Sequence, residues 1–128
     1  MAKFLYDRGQ HRRKHCWKNS YAGFQPSAKG QVGKCSSKIT QTIAQALLDD
    51  GVPDWDNEDA QYPTAIYNVF EGIPYEAAPT EPGKSYHGYP WRGTMPLRIF
   101  AQLEERASQS GHGRRFKKWV RKHSEMHR

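Results

Sequence analysis

A two-residue turn between two β-prone runs is the feature that constrains the fold of this chain most. Residues 65–70 (AIYNVF) and residues 73–77 (IPYEA) flank Glu71-Gly72. A two-residue connection that ends in glycine is typical of a tight antiparallel hairpin. Pro74 has no N–H to donate, so we predict that its strand lies at an edge or is paired on one side only. Residues 85–91 predict a third strand, which completes a three-stranded antiparallel meander.

A helix is predicted immediately before the meander. Four apolar residues fall at i, i+4, i+7 and i+8, the spacing of one helix face, and they are Ile39, Ile43, Ala46 and Leu47. Thr40 is a suitable N-cap, and Gly51 stands where a helix commonly ends. We therefore expect a helix that begins after Thr40 and stops before Gly51.

Two further helices are predicted after the meander. Pro96 suits the first turn of a helix that ends at Gly111. The predicted buried face of this helix consists of Leu97, Ile99, Phe100, Leu103 and Ala107. A second helix is expected from Arg114 to about Glu125, so that the two form a helical hairpin.

The N-terminal region lacks a sustained apolar period. Glycine and proline interrupt the first 35 residues, so we expect only a short strand at residues 3–6 and a helical turn at residues 11–17. The predicted fold class is α+β. It is a single small domain in which a helix is followed by a three-stranded antiparallel meander and a C-terminal helical hairpin, with a long irregular basic N-terminal arm. The arm covers residues 1–37, the α+β core 38–111 and the basic amphipathic C-terminal helix 112–128.

Composition limits the classes of protein to which the chain can belong. Only 36% of the 128 residues are apolar, but 12% are aromatic, and aromatic rings bury enough area to support a core. No apolar run approaches the roughly 20 residues of a membrane-spanning helix. The basic N-terminal stretch is not followed by the apolar segment of a secretory signal. We therefore expect a folded cytoplasmic protein with no membrane span.

The formal net charge of +7 hides three blocks of alternating sign. Residues 1–38 carry +8, residues 39–83 carry −9 and residues 84–128 carry +8. The blocks can neutralise one another within the fold, or they can form a dipolar surface whose basic side binds a polyanion. RNA or DNA is the usual target of such a surface. An anionic membrane and an acidic protein are the alternatives.

Basic residues concentrate in the C-terminal helix and in the N-terminal arm. In the helix, six bases within nine residues repel one another unless an anion is near, and they are Arg114, Arg115, Lys117, Lys118, Arg121 and Lys122. In the arm, bases alternate with rings, a pattern that suits phosphate contacts and base stacking in single-stranded nucleic acid. These residues are Arg12, Arg13, Lys14, Trp17, Lys18, Tyr21 and Phe24. The alternative is that the rings simply dock the arm on the core.

A Gly-x-x-Gly turn in the arm is flanked by Lys29 and Lys34. Residues 29–34 do not match a Walker A loop, because the first glycine and the Ser or Thr after the lysine are absent. The turn can still present backbone amides to one phosphate, and an ordinary surface turn is the alternative. We therefore include Lys29 and Lys34 among the candidate nucleic-acid contacts.

A candidate active site lies in and beside the third predicted strand. His87 offers a general acid or base, and Glu76 on the neighbouring strand can pair with it. Lys84 or Arg92 can stabilise the negative charge of a pentacovalent phosphate. This set suffices for metal-independent cleavage of RNA through its 2′-hydroxyl. A purely structural role for His87 beside a glycine bend is the alternative.

No metal site and no cofactor is predicted. The nearest approach to a zinc set is His11, His15, Cys16 and Cys35. The spacing of the cysteines fits no common zinc motif, so free thiols or a disulfide are the alternatives. The acidic loop at residues 53–59 lacks the glycine and the final glutamate of a calcium loop.

The sequence thus favours a small basic protein that binds RNA or single-stranded DNA through its C-terminal helix and N-terminal arm. The enzymatic alternative is a metal-independent ribonuclease centred on His87, an analogy of size and charge with small toxin and effector domains. The third hypothesis is a basic adaptor that binds an acidic protein partner. The leading hypothesis requires the two basic ends of the chain to meet in space.

Overall fold

The computed structural model describes residues 4–7, 18–27 and 30–126 of the chain. Within these ranges it contains, in chain order, β1 (Leu5–Tyr6), β2 (Gly23–Ser27), β3 (Gly30–Lys34), α1 (Gln41–Asp49), β4 (Val52–Asp54), β5 (Ala65–Phe70), β6 (Ile73–Glu81), β7 (Ser85–Pro90), α2 (Leu97–Gln109) and α3 (Gly113–His123). These elements confirm the predicted α+β class.

Five strands form the main sheet, in the order β1-β7-β6-β5-β4. β1 runs parallel to β7, and all other neighbours are antiparallel. β2 and β3 form a separate antiparallel hairpin. The predicted meander is therefore β5-β6-β7, with one further strand on each side of it.

The turn between β5 and β6 has the backbone that its sequence predicts. Glu71 (φ 51°) and Gly72 (φ 85°) both have positive φ, as a two-residue type I′ turn requires. Gly72 is also needed for space, because a Cβ there would lie 2.9 Å from the Cβ and the carbonyl oxygen of His112. The small turn lets the N-terminus of α3 approach this end of the sheet.

Helices cover both faces of the main sheet. Because successive residues of a strand point to opposite sides, neighbouring residues of one strand pack against different helices. On β5, Tyr67 packs with Leu103 of α2 in the larger core, which also contains Trp91. The neighbouring Ile66 packs with Leu48 of α1 on the opposite face. The described chain therefore has three layers: α1, the main sheet, and α2 with α3.

Helix α1 agrees with its prediction at both ends. The Thr40 hydroxyl oxygen accepts a hydrogen bond from the backbone N–H of Ile43 at 3.2 Å, so Thr40 is the N-cap. The C-cap is Asp50, directly before Gly51. The ends of the helix thus follow local capping chemistry, whereas its buried residues are Ala44 and Leu48 and the predicted Ala46 is exposed.

Helix α2 buries four of the five residues predicted for its apolar face, which are Ile99, Phe100, Leu103 and Ala107. The prediction for Leu97 is wrong, because its side chain is 64% exposed. At 100° per residue, Leu97 lies about 100° from the mean direction of the other four. It also occupies the first position of the helix, directly after the N-cap Pro96.

The structure corrects the predictions for four strands. Part of the arm predicted to be irregular is the β2-β3 hairpin. Strand β4 occupies the start of the predicted acidic loop, paired with β5. β6 is paired on both sides, which is possible because Pro74 is near its start, where a missing donor is tolerated.

The hairpin forms because the main sheet supplies a partner surface for it. A Cβ on Gly33 would lie only 3.2 Å from Pro90 Cδ and 3.5 Å from Tyr89 Cβ, so β3 packs closely against the end of β7. The predicted strand at residues 3–6 is present as Leu5–Tyr6. The helical turn predicted at residues 11–17 lies outside the described residues.

Candidate functional site

Helix α3 is held by its apolar face and carries lysine and arginine on both flanks. Phe116 is fully buried, and Trp119 Nε1 donates to the carbonyl oxygen of Trp91 at 2.8 Å. Residues at i, i+3 and i+7 lie on one flank of a helix, which divides the six bases into two sets of equal charge. One set is Arg115, Lys118 and Lys122, and the other is Arg114, Lys117 and Arg121.

The first of these sets lines a groove of about 490 Å³, which we call the basic groove. The groove lies between α3, the β5-β6 turn and the described part of the N-terminal arm. Its basic lining residues are Lys38, Arg115, Lys118 and Lys122, and its aromatic ones are Tyr21, Phe70, Tyr75 and Trp119. Tyr21 is 61% exposed. Basic and aromatic residues from both ends of the chain therefore meet around one depression.

Phe24 attaches the β2-β3 hairpin to α3. Its ring centroid lies 5.8 Å from that of Trp119 and 4.8 Å from that of His123. The guanidinium carbon of Arg92 lies 5.3 Å from the same ring centroid, within the range of a cation–π contact. Phe24 therefore docks the arm, as the alternative interpretation of the arm rings predicts, whereas the side chain of Tyr21 is largely exposed.

Positive charge predominates along the basic groove. Glu71 is the acidic residue among the described lining residues, and its carboxylate lies 3.5 Å from Lys38 Nζ. Arg115 Nη1 donates to the backbone carbonyl oxygen of Glu71 at 3.2 Å. Lys118 and Lys122 add two exposed charges on the same flank. An anion is the ligand that this balance of charge favours.

The imidazole of His123 lies at one end of this lining. Burial lowers its pKa, and the positive charges of Lys122 and Arg92 lower it further. The ring packs against Trp119 in a tilted arrangement, with centroids 4.2 Å apart and an interplanar angle of 46°. Burial and the neighbouring cations therefore both favour the neutral form of the His123 imidazole.

The other predicted contact residues fall outside the groove or outside the described chain. Lys18 is exposed and Lys34 is half-buried on β3, and neither is among the groove lining. The predicted contacts outside the described residues are Arg12, Arg13, Lys14, Trp17 and Lys29. Sequence analysis missed Lys38, whose only signal is its place at the end of the first basic block.

A second group of titratable side chains lies across β5, β6 and β7. Cross-strand register places Tyr67 opposite Glu76, and Glu76 opposite Tyr89. The hydroxyl of Tyr89 donates to the Glu76 carboxylate. Burial raises the pKa of Glu76 to about 7, the Tyr89 bond counteracts this rise, and the negative charge of Asp54 adds to it. We call Tyr67, Glu76, His87 and Tyr89 the Glu76 cluster.

His87 belongs to the same face of the sheet, two residues before Tyr89. It lies opposite Ala78, and its ring centroid is 6.2 Å from that of Tyr89. Its Nδ1 is 2.8 Å from Thr80 Oγ1. The structure therefore brings the predicted pair of Glu76 and His87 onto one sheet face, together with the phenols of Tyr67 and Tyr89.

The two cations predicted for the active site lie at opposite ends of β7. Lys84 is exposed in the turn before this strand, and Arg92 follows it and donates to Gln31 at 3.4 Å. At about 3.3 Å per residue they are roughly 25 Å apart. Arg98 of α2, which lies 3.8 Å from Asp54, brings a guanidinium to the side of the Glu76 cluster.

The wild-type protein is expected to lose stability as pH rises, because the buried Glu76 carboxyl ionises. Glu76→Gln cannot ionise and is expected to avoid this loss. The pKa of Glu76 is about 7 in the folded protein against an ordinary value of 4.5. The stability linked to this group is therefore fully present below pH 4.5 and is lost as pH rises to 7. Between pH 4.5 and pH 8, we expect the free energy of unfolding of E76Q to rise by about 1–3 kcal/mol relative to that of wild type.

Urea unfolding of both proteins across this pH range measures the effect. Glu58→Gln, which removes the same charge from an exposed loop position, is the matched control and should follow wild type. If the free energy of unfolding depended on pH in the same way for E76Q and for wild type, that result would contradict the raised pKa of Glu76.

The predicted alternatives involving metals gain no structural support from the described part of the chain. Cys35 is buried, with its Sγ 3.7 Å from the carbonyl oxygen of Gly88, while His11, His15 and Cys16 lie outside the described residues. Among residues 4–7, 18–27 and 30–126, no group of three or more metal-ligating side chains comes together. Asp54 of the acidic loop instead pairs with Arg98.

Two further findings bear on the class of protein. None of the helices within the described ranges has the length and hydropathy to cross a bilayer. Comparison of the chain with known protein families, curated proteins and solved structures finds no match.

Proposed function

We propose that this protein binds single-stranded nucleic acid, either RNA or single-stranded DNA, in the basic groove. The strongest support is that residues from distant parts of the chain line this one groove. They are Tyr21 of the arm, Lys38, and Arg115, Lys118 and Lys122 on one flank of α3. The cations would pair with successive phosphates, and a base would stack on the exposed ring of Tyr21.

The rings in the groove favour a single strand over a duplex. Tyr21 is 61% exposed, and Trp119, which packs against Phe24 and His123, is half-buried in the same lining. Bases of a single strand can turn outward and stack on such rings, whereas the bases of a duplex are already stacked on one another. Phosphate contacts alone would not distinguish a single strand from a duplex.

Binding of a labelled oligonucleotide, measured by fluorescence anisotropy at several salt concentrations, tests the proposal. Four groove cations that each neutralise one phosphate predict a slope of about −3 for log K against log salt, since each contact to a single strand contributes about −0.7. A duplex of the same sequence should bind more weakly. Polyglutamate of equal charge is the control for the adaptor alternative. No binding at low salt, or equal competition by polyglutamate, would refute the proposal.

A further inference from the structure

The Glu76 cluster is separate from the surface on which the proposed binding depends. Tyr75 lines the basic groove, and Glu76 is the next residue of β6. Successive strand residues point to opposite faces, so Glu76 lies on the α2 side of the sheet, where Tyr67 packs in the larger core. Binding in the groove leaves these titratable side chains without a role.

The spacing within the cluster suits two groups that act on one small reacting centre. Glu76 pairs with Tyr89 and Ala78 pairs with His87, so Glu76 and His87 are diagonal neighbours on one face. Diagonal neighbours of an antiparallel pair have Cβ atoms about 7 Å apart. Ala78, the residue opposite His87, has a small side chain.

We propose that the Glu76 cluster cleaves RNA without a metal ion, with Glu76 as the general base and His87 as the general acid. This inference rests on the proposed function for capture of the RNA strand. The Glu76 carboxylate takes the proton of a 2′-hydroxyl, and the 2′-oxygen forms a bond to the adjacent phosphorus. The bond from phosphorus to the 5′-oxygen breaks, and the leaving oxygen takes a proton from the His87 imidazolium. The products are a 2′,3′-cyclic phosphate and a 5′-hydroxyl.

The hydrogen bonds of the cluster orient both catalytic residues. As an imidazolium, His87 donates from Nδ1 to Thr80 Oγ1, 2.8 Å away, and Nε2 carries the proton for the leaving oxygen. The hydroxyl of Tyr89 donates to Glu76, which makes Tyr89 a positioning residue. The other titratable or charged groups that face Glu76 are Tyr67 of β5 and Asp54 of β4, with Arg98 paired to Asp54.

The environment of Glu76 also suits a base that works near neutral pH. Its pKa is raised to about 7 by burial, and a general base is most effective when its pKa lies near the working pH. The rate should therefore rise with pH as the Glu76 carboxyl ionises and fall again as the His87 imidazolium loses its proton. Removing the Tyr89 hydroxyl removes a bond that favours the carboxylate, so Y89F should move this rise to higher pH.

The test is incubation of the purified full chain with a labelled single-stranded RNA in EDTA, with product ends identified by mass spectrometry. We expect a 2′,3′-cyclic phosphate, and a rate at least 100-fold lower for Glu76→Gln and for His87→Gln, since general acid–base groups contribute about 10²–10⁴-fold. The E58Q variant should cleave like wild type. The same purification of E76Q also controls for a contaminating ribonuclease.

Binding is measured on the same preparations, so the two proposals fail separately. Wild-type protein that binds the RNA but leaves it intact would overturn the catalytic inference and leave the binding proposal standing. Cleavage by E76Q at the wild-type rate would also overturn it, with circular dichroism establishing that E76Q is folded. Failure of wild type to bind RNA at low salt would instead refute the proposed function. A DNA strand of the same sequence should bind and stay intact, because it lacks the 2′-hydroxyl.

Discussion

Alanine at Arg115, Lys118 and Lys122 together is expected to lower the affinity for single-stranded nucleic acid by about 100-fold near 0.1 M salt. These three bases share one flank of α3 and line the basic groove. Each removed cation takes away a phosphate contact and the counterion release that accompanies it. The slope of log K against log salt should become shallower by about 2, because three contacts at roughly 0.7 each are lost.

The opposite flank of the same helix provides the matched control. Arg114→Ala, Lys117→Ala and Arg121→Ala remove the same charge from the same element, but Arg114 and Lys117 lie beside Glu104 and Glu105, away from the groove. This variant should keep most of the affinity and of the salt slope. Anisotropy titrations of both triple variants settle the matter. Equal losses in the two variants would show that net charge alone drives binding, and would exclude the groove as the site.

Leu103→Ala is expected to cost about 2–5 kcal/mol of unfolding free energy. Leu103 is fully buried in the core between α2 and the main sheet, where it packs with Tyr67 and Trp91. Truncation removes apolar contacts and leaves a cavity that rigid neighbours cannot fill. Since a domain is stable by only about 5–15 kcal/mol, the urea midpoint should fall strongly.

Leu97→Ala makes the same chemical change on the same helix and is the control. The side chain of Leu97 is 64% exposed, so the expected change is within about 0.5 kcal/mol. The two sites differ in burial and in their position along α2, although the apolar pattern of the helix predicts both leucines to be buried. A large effect at Leu97 would mean that a partner or another segment covers this position in solution.

Elements with strong local signals were predictable from the sequence. Thr40 caps α1 through its own hydroxyl, and Glu71-Gly72 adopts the positive φ values of a tight turn. Both depend on residues that are close together in the chain. Strand β4 and the β2-β3 hairpin were not predicted from the sequence. β4 is paired with β5, and the hairpin packs against the end of β7, which is distant in sequence.

The candidate sites divide in the same way. The sequence identifies the bases of α3 and the pair of Glu76 and His87, because residue type alone shows what each can do chemically. It does not show which flank of α3 faces the groove, that Lys38 joins it, or that Tyr89 bonds to Glu76. Those relations depend on which strands are neighbours and in what register.

Local chemistry therefore determines the N-cap of α1, the β5-β6 turn and the charge of each segment of this protein. Tertiary packing alone decides that the described arm reaches α3, where Phe24 contacts Trp119 and His123, and that Tyr89 of β7 lies opposite Glu76 of β6. The reason is physical. A cap or a turn depends on atoms a few residues apart, whereas a groove or a cross-strand cluster exists only when distant segments are held together by burial of a shared core.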